Sequence, residues 1–235
     1  MTCSPAKFQI NHFQQKEGKA MLPKKLIETV KKRAANYALE GFVISPDVEH
    51  PTLMLVGEAP GETEIHTGVP FTGRAGKELE KMMTRANVQR DEVYITSAVR
   101  SRPYKERQKW DRKTERNEWK RYNRTPNKGE IIAHAPVLDY EIETSSPEVI
   151  VTLGNIGLKR LLGSDWSVSA AHGTVYQGPI QFWNQTKEQY DWTEKDYTVI
   201  PTFHPAAIFY NRKLLPLMEQ DWDKIAIYIG RKKDA

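Results

Sequence analysis

Apolar and polar residues come in blocks along this chain, and the period changes from block to block. Four short runs are dense in apolar or β-branched residues: "TLMLV" (52–56), "VYITSAV" (93–99), "VIVTL" (149–153) and "YTVIPTF" (197–203). The first three are nearly continuous, as strands buried on both faces are. Between the runs the spacing turns helical, in "RAGKELEKMMTRA", "NKGEIIAHAPVLDYEIETS" and "IGLKRLLG". Pro136 falls inside the second of these and predicts a kink or a split. Ahead of the first strand, "LPKKLIETVKKRAANYALEG" has apolar positions at Leu26, Ile27, Val30, Ala34, Tyr37 and Ala38, an amphipathic helix ended by Gly41. "LLPLMEQDWDKIAIYIG" predicts a closing helix, "HGTVYQGPIQFWN" a hairpin at the sheet edge, and residues 1–20 a polar, loosely structured start.

Strands alternating with helices predict right-handed crossovers, a parallel sheet and helices on both of its faces. Sites in such folds sit at the carboxyl ends of the strands. Those ends carry Gly57–Glu64, Ser97–Arg102, Gly154–Asn155 and His204–Pro205. The 235 residues, 39% of them hydrophobic, suit one domain with one core. The expected organisation is a single domain over 1–235, with an N-terminal helical extension (1–45) and a basic insertion (105–122).

Charge changes the picture in one place. From Arg100 to Lys128 twelve Lys/Arg face four acids, so the remainder of the chain is slightly acidic although the net charge is +5. A charge run alone fits a solvated face equally well. This run also carries Tyr104, Trp110, Trp119 and Tyr122, and basic residues interleaved with aromatics favour a polyanion with stackable bases. Cys3 is the only cysteine, which leaves no disulfide framework or thiolate cluster and suits a cytoplasmic location. No run of about 18 apolar residues predicts a membrane span, and the N-terminus has no apolar stretch typical of a signal peptide.

"GEAPGETEIHTGVPFTGRAG" (57–76) poses the chemical question, because glycine-rich loops behind strands often cradle phosphate. Gly68 and Gly73 have P-loop spacing, but Arg74 and Ala75 stand where the lysine and hydroxyl are needed. A dinucleotide loop would open a helix directly, and Glu58, Glu62 and Glu64 would repel phosphate. No nucleophile elbow and no close metal-ligand spacing occurs. The loop does offer backbone donors, a carboxylate at Glu64 and a ring at Phe71, with His204 on the same rim. That set suits an uncharged heterocycle, although Phe71 taken alone also fits a core residue under the loop.

"GEAPGETE…GVPFTGRAG", "VYITSAVRSRP", "NRTPNKGEI", "PEVIVTLGN" and "TFHPAA" follow in the order found in the uracil-DNA glycosylase superfamily. From about Leu53 onward the chain resembles family 4 of that superfamily. The resemblance implies an α/β/α three-layer sandwich with a central four-stranded parallel sheet, and an enzyme that hydrolyses the N-glycosidic bond of uracil or another deaminated base flipped out of DNA. It implies that Glu58 and Ala59 shape the loop and supply backbone donors around the base, that Phe71 stacks on it, and that Ser97 stands where it is recognised. Glu64 would place or activate water, Asn123 would share in catalysis, and His204 would donate to the base O2. Arg100, Arg102 and Arg124 of the basic run, with His172, Tyr210 and Arg212, are the expected DNA contacts. DNA is the expected partner of a monomer, with no membrane, metal or cofactor involved.

Three departures from the family pattern stand out. Four cysteines usually hold an iron–sulfur cluster; here Ser101 precedes "RP", the helix after "NRTP" has His134, and "RAANYALEG" has no cysteine pair. Residues 105–122 interrupt a compact motif. Ser97 replaces an asparagine that recognises uracil, which keeps a second reading open: a member with little or no turnover that binds damaged DNA.

Overall fold

The computed structural model describes residues 22–48 and 51–231; the expectation for residues 1–20, and Cys3 with it, lies outside the described residues. The chain builds a five-stranded sheet from β2 (Leu53–Gly57), β3 (Val93–Ser97), β6 (Val149–Leu153), β7 (Tyr176–Asn184) and β8 (Gln189–Thr202), in the order β3-β2-β6-β8-β7. Strands β2, β3, β6 and β8 are mutually parallel, as expected, and β7 adds an antiparallel edge: the stretch expected to fold as a hairpin supplies only one arm, and the outer half of β8 is the other. β8 is twice its expected length because its outer half is the return arm of that hairpin. Its residues there are polar and half exposed, so the alternation of a one-sided strand hid it.

The helices are α1 (Lys24–Ala34), α2 (Glu62–Thr67), α3 (Arg74–Arg85), α4 (Lys128–Ser145), α5 (Asn155–Leu162), α6 (Val168–Ala171) and α7 (Leu215–Tyr228). Crossing from β2 to β3 runs one way along the sheet, and crossing from β3 to β6 runs the other. With right-handed connections, α3 and α4 therefore cover opposite faces. α7 packs beside α3, and α1 packs outside α4 through Val30 and Val137. The first helix stops at Ala34 rather than reaching Gly41. Leu39–Glu40 instead forms β1, a short strand paired with Arg102 and Pro103.

Pro136 neither splits α4 nor ends it. A proline removes the hydrogen bond to the carbonyl four residues back, that of Ile132. Arg33 of α1 donates to that carbonyl at 3.1 Å, so the freed acceptor finds a partner across the helix pair. The basic insertion is itself ordered: β4 (Arg102–Asp111) and β5 (Arg116–Asn123) pair as an antiparallel hairpin beyond β1.

The direction reversal falls between β2 and β6, where a crevice opens at the carboxyl ends of both strands. Gly57 ends β2 and Gly154 follows β6 there.

Candidate active site

Phe71 is the fixed point of the glycine loop. Its backbone lies in the left-handed region (φ 52°), a conformation that costs a bulky residue about 1 kcal/mol or more. Two glycines make room for it. A β-carbon on Gly57 would come within 2.8 Å of the Phe71 ring, and one on Gly76 would collide with the Phe71 carbonyl. The glycines therefore serve a ring rather than a phosphate. Phe71 faces His204 across the crevice, with ring centroids 5.7 Å apart and planes tilted by 34°.

His204 follows β8 and caps a short 3-10 helix, Pro205–Phe209. Its Nδ1 accepts the Ala206 N–H at 3.2 Å, which places the ring proton on Nε2. Burial brings its pKa down from 6.5 to about 4, with the nearby Glu64 carboxylate pulling weakly the other way. The result is a neutral imidazole that presents an Nε2–H donor. Gly154 (φ +85°) clears its path, since a β-carbon there would sit 3.0 Å from that of His204.

Glu64 is buried on α2, and both of its oxygens hold backbone amides: Gly61 N–H at 3.0 Å and Gly73 N–H at 2.8 Å. It staples the two ends of the loop, leaving one lone pair on each oxygen for other work. Asn123 meets it at Gly61, where a β-carbon would lie 2.9 Å from Glu64 Oε2 and 3.1 Å from Asn123 Nδ2. The Asn123 carbonyl oxygen accepts from Arg102 Nε, which turns the amide nitrogen toward the loop. Glu64, Phe71, Asn123 and His204 thus converge, although they are scattered along the sequence.

Glu58 and Ala59 lie in the link from β2 to α2. The β3 ladder continues onto them, as Ala98 N–H donates to the Gly57 carbonyl and Val99 N–H to the Glu58 carbonyl. Burial pushes the Glu58 carboxyl up, opposed by a hydrogen bond with the Thr125 side chain. Ser97 lies directly opposite Gly57 in the sheet register. Its hydroxyl donates to the Val99 carbonyl at 2.8 Å, so toward the crevice it offers only acceptor lone pairs.

The expected DNA contacts separate into two groups. Arg100 is 1% exposed; it donates to Val43, Ser45 and Thr96 and pairs with Glu141, so it holds the loop after α1 against α4 and cannot reach DNA. Arg102 is 3% exposed and pairs with Glu40 as well as Asn123, so its place is to orient the amide. Arg124 is committed to both oxygens of Glu130 and to the Tyr104 carbonyl. Sequence reasoning missed these roles because a cation in a basic run carries no mark of the carboxylate it will meet. His172 is half-buried, with Nδ1 2.9 Å from Asp221. Tyr210 is 91% exposed just beyond the 3-10 helix, while Arg74 stacks over the neighbouring Phe209 at 4.5 Å, and Arg212 is exposed beside it.

The crevice thus brings a ring, a carboxylate, an amide and a neutral imidazole donor to the carboxyl ends of the strands. The family model of the uracil DNA glycosylase superfamily matches residues 46–228. The chain belongs to the uracil-DNA glycosylase superfamily. It is 36% identical over 174 residues to the type-4 uracil-DNA glycosylase of Sulfurisphaera tokodaii, covering 74% of this chain and 68% of that one. It is 33% identical to that of Saccharolobus solfataricus (77% and 72% covered) and 30% identical to that of Archaeoglobus fulgidus (79% and 80%).

The cluster implied by the family-4 resemblance does not fit this superfamily member. Ser101 and His134, at two of its positions, are buried. Phe42 stacks on His134 with centroids 5.9 Å apart, and the Arg100 amide donates to His134 Nδ1 at 3.2 Å. Burial lowers the His134 pKa to about 4, so a neutral ring fills a packed interior. With one cysteine in the chain, the four thiolates of a cluster are not available. Among the described residues no helix is long and apolar enough to cross a membrane, and no group of three or more His, Cys, Asp or Glu is placed to hold a metal ion.

Proposed function

We propose that the protein hydrolyses the N-glycosidic bond of uracil, or another deaminated base, flipped out of DNA into the Phe71–His204 crevice. The observation that carries this reading is the neutral His204 Nε2–H, preset beside a half-buried ring. As the C1′–N1 bond breaks, its electron pair moves onto the base and charge collects on O2. A donor already aimed there stabilises the transition state more than the ground state. Phe71 stacks on the flipped base. Glu64 and Asn123, meeting at Gly61, hold the water whose oxygen bonds to C1′; its proton passes to the Glu64 carboxylate and, through solvent, neutralises the departing base anion.

Extruding the base costs a few kcal/mol, least from a mispair or a single strand. Phosphate contacts offset it, from Arg212 and the exposed lysines and arginines of the hairpin, together with His172 and Tyr210. All catalytic groups come from one chain, which supports action as a monomer of one domain, and a single cysteine is compatible with the cytoplasm. The alternative, a module that binds without turnover, rests on Ser97 alone, whereas the converged catalytic set and the names of the relatives favour the enzyme. Purified protein incubated with uracil-containing oligonucleotides should leave alkali-labile abasic sites, with hypoxanthine and xanthine substrates run in parallel. Tight binding with no abasic product on any of the three would overturn the reading.

A further inference from the structure

The β4–β5 hairpin buries neither of its faces beyond Tyr104. A free two-stranded hairpin has little hydrophobic support of its own, so rings left in water on it are costly. Trp110 is 56% exposed and Trp119 is 67% exposed. The register sorts the hairpin's residues sharply. Gln108 faces Trp119 and Trp110 faces Asn117, so the two tryptophans are diagonal neighbours on one face. The same face carries Arg121 stacked on Tyr104 at 4.3 Å, and then Asn123 at its base. The opposite face carries Lys105, Arg107, Lys109, Arg116 and Lys120 against Asp111 and Glu118, with Tyr122 opposite Lys105. Lys120 answers both acids, while Lys105, Arg107, Lys109 and Arg116 have no ion-pair partner among the described residues.

We propose that this hairpin is a binding platform for single-stranded DNA, with unpaired bases stacking on Trp110 and Trp119 and phosphates held by the cations of the other face and the tip. The proposal rests on the reading of the crevice as a base-excision site, and adds a strand preference to it. Three observations carry it. Flat rings standing in solvent can stack only on bases whose faces are free, and duplex bases already cover one another. The excess of unpaired cations suits a polyanion and disfavours an ordinary protein surface. The aromatic face leads past the Arg121–Glu106 ion pair to Asn123, and Trp119 lies about 13 Å up the strand from it, at ~3.3 Å per residue. A strand seated on the rings is thereby led to the catalytic amide.

Binding to a uracil-free oligothymidylate, and to a uracil-free duplex of equal length, tests this without reference to turnover. Trp110→Ala with Trp119→Ala should weaken single-strand binding about thirtyfold or more, with duplex binding changed less than about threefold. Trp110→Phe with Trp119→Phe is the companion variant, which controls for loss of hairpin order. It keeps flat faces and should stay within about threefold of wild type. Lys105→Ala, Arg107→Ala and Lys109→Ala together should lower the salt slope by about 0.7 for each single-strand phosphate they no longer neutralise, whereas the tryptophan variant leaves the slope unchanged. Unchanged single-strand affinity in the double alanine variant, or equal losses on both DNAs, overturns the platform and reassigns the rings to a protein contact or to hairpin bracing. If wild type still excises uracil in that case, only the platform falls. If single-strand binding depends on the rings but no base is excised, only the enzymatic reading falls.

Discussion

Removing the His204 imidazole tests the chemistry most directly. Its Nδ1 is spent on Ala206 N–H, so Nε2 carries the only ring proton. With a pKa of about 4, roughly one molecule in a thousand is imidazolium at pH 7. The donor is therefore neutral, and in the proposed mechanism its effect is that of one preset hydrogen bond to charge appearing on O2. Losing such a donor costs about 10²–10³ in rate. His204→Ala should slow single-turnover excision of uracil by that factor while changing affinity for the same oligonucleotide less than about threefold. The alanine also uncaps the 3-10 helix, a loss of about 1 kcal/mol of stability. His204→Asn separates the effects: it can still accept from Ala206 N–H but is too short to replace the Nε2 donor. The rate should stay low while the melting temperature returns toward wild type. The wild-type rate should carry no His204 limb between about pH 5 and pH 8 and should fall as pH drops through about 4. Stability follows the same sign: the unfolded imidazole takes up its proton near 6.5 and the folded one near 4. The contribution of the half-buried neutral ring is complete above about 6.5 and is lost progressively as pH falls to about 4. Equal losses in binding and rate in His204→Ala, or a wild-type acid limb near 6.5 that the variant lacks, would refute the neutral-donor account.

Ser97→Asn should raise uracil excision and sharpen rejection of cytosine, because an acceptor-only hydroxyl can take either the uracil N3–H or the cytosine amino group, whereas an amide pairs with one edge; wild type should accordingly prefer U·G and single strands over U·A, and equal rates on all three would contradict it. Arg102→Met should leave the Asn123 amide free to rotate, lowering the single-turnover rate about tenfold with little change in affinity, and leaving Glu40 without one of its cations should lower the melting temperature by several degrees. Gly76→Ala should displace Phe71 and cut excision at least as much as Phe71→Ala does, by the same kinetic assay, while Gly68→Ala, where nothing lies near the added methyl, should cost only the strain of its left-handed backbone.

Much of the fold was legible in the linear pattern because burial on two faces leaves an unmistakable signature. β2, β3 and β6 are continuous apolar runs at their expected places, shifted by a residue or two. Glu64, Phe71 and His204 stood out in the sequence as a carboxylate, a ring and an imidazole at or behind strand ends, whereas Asn123 was marked only by the family resemblance; folding brings the four near one another. Tertiary contact decided the rest. Arg100 and Arg102 read as DNA contacts, because formal charge says nothing about whether a carboxylate such as Glu141 or Glu40 waits inside. Pro136 read as a break, because the donor that rescues its orphaned carbonyl is Arg33, distant in sequence. The outer half of β8 was invisible because its residues face water on one side and gain their order from pairing with β7. The His204 tautomer, the outward lone pairs of Ser97 and the twin amides on Glu64 depend on backbone atoms brought close by folding. A sequence names which donors and acceptors exist; only packing in three dimensions chooses which of them are already spent and which remain for the substrate.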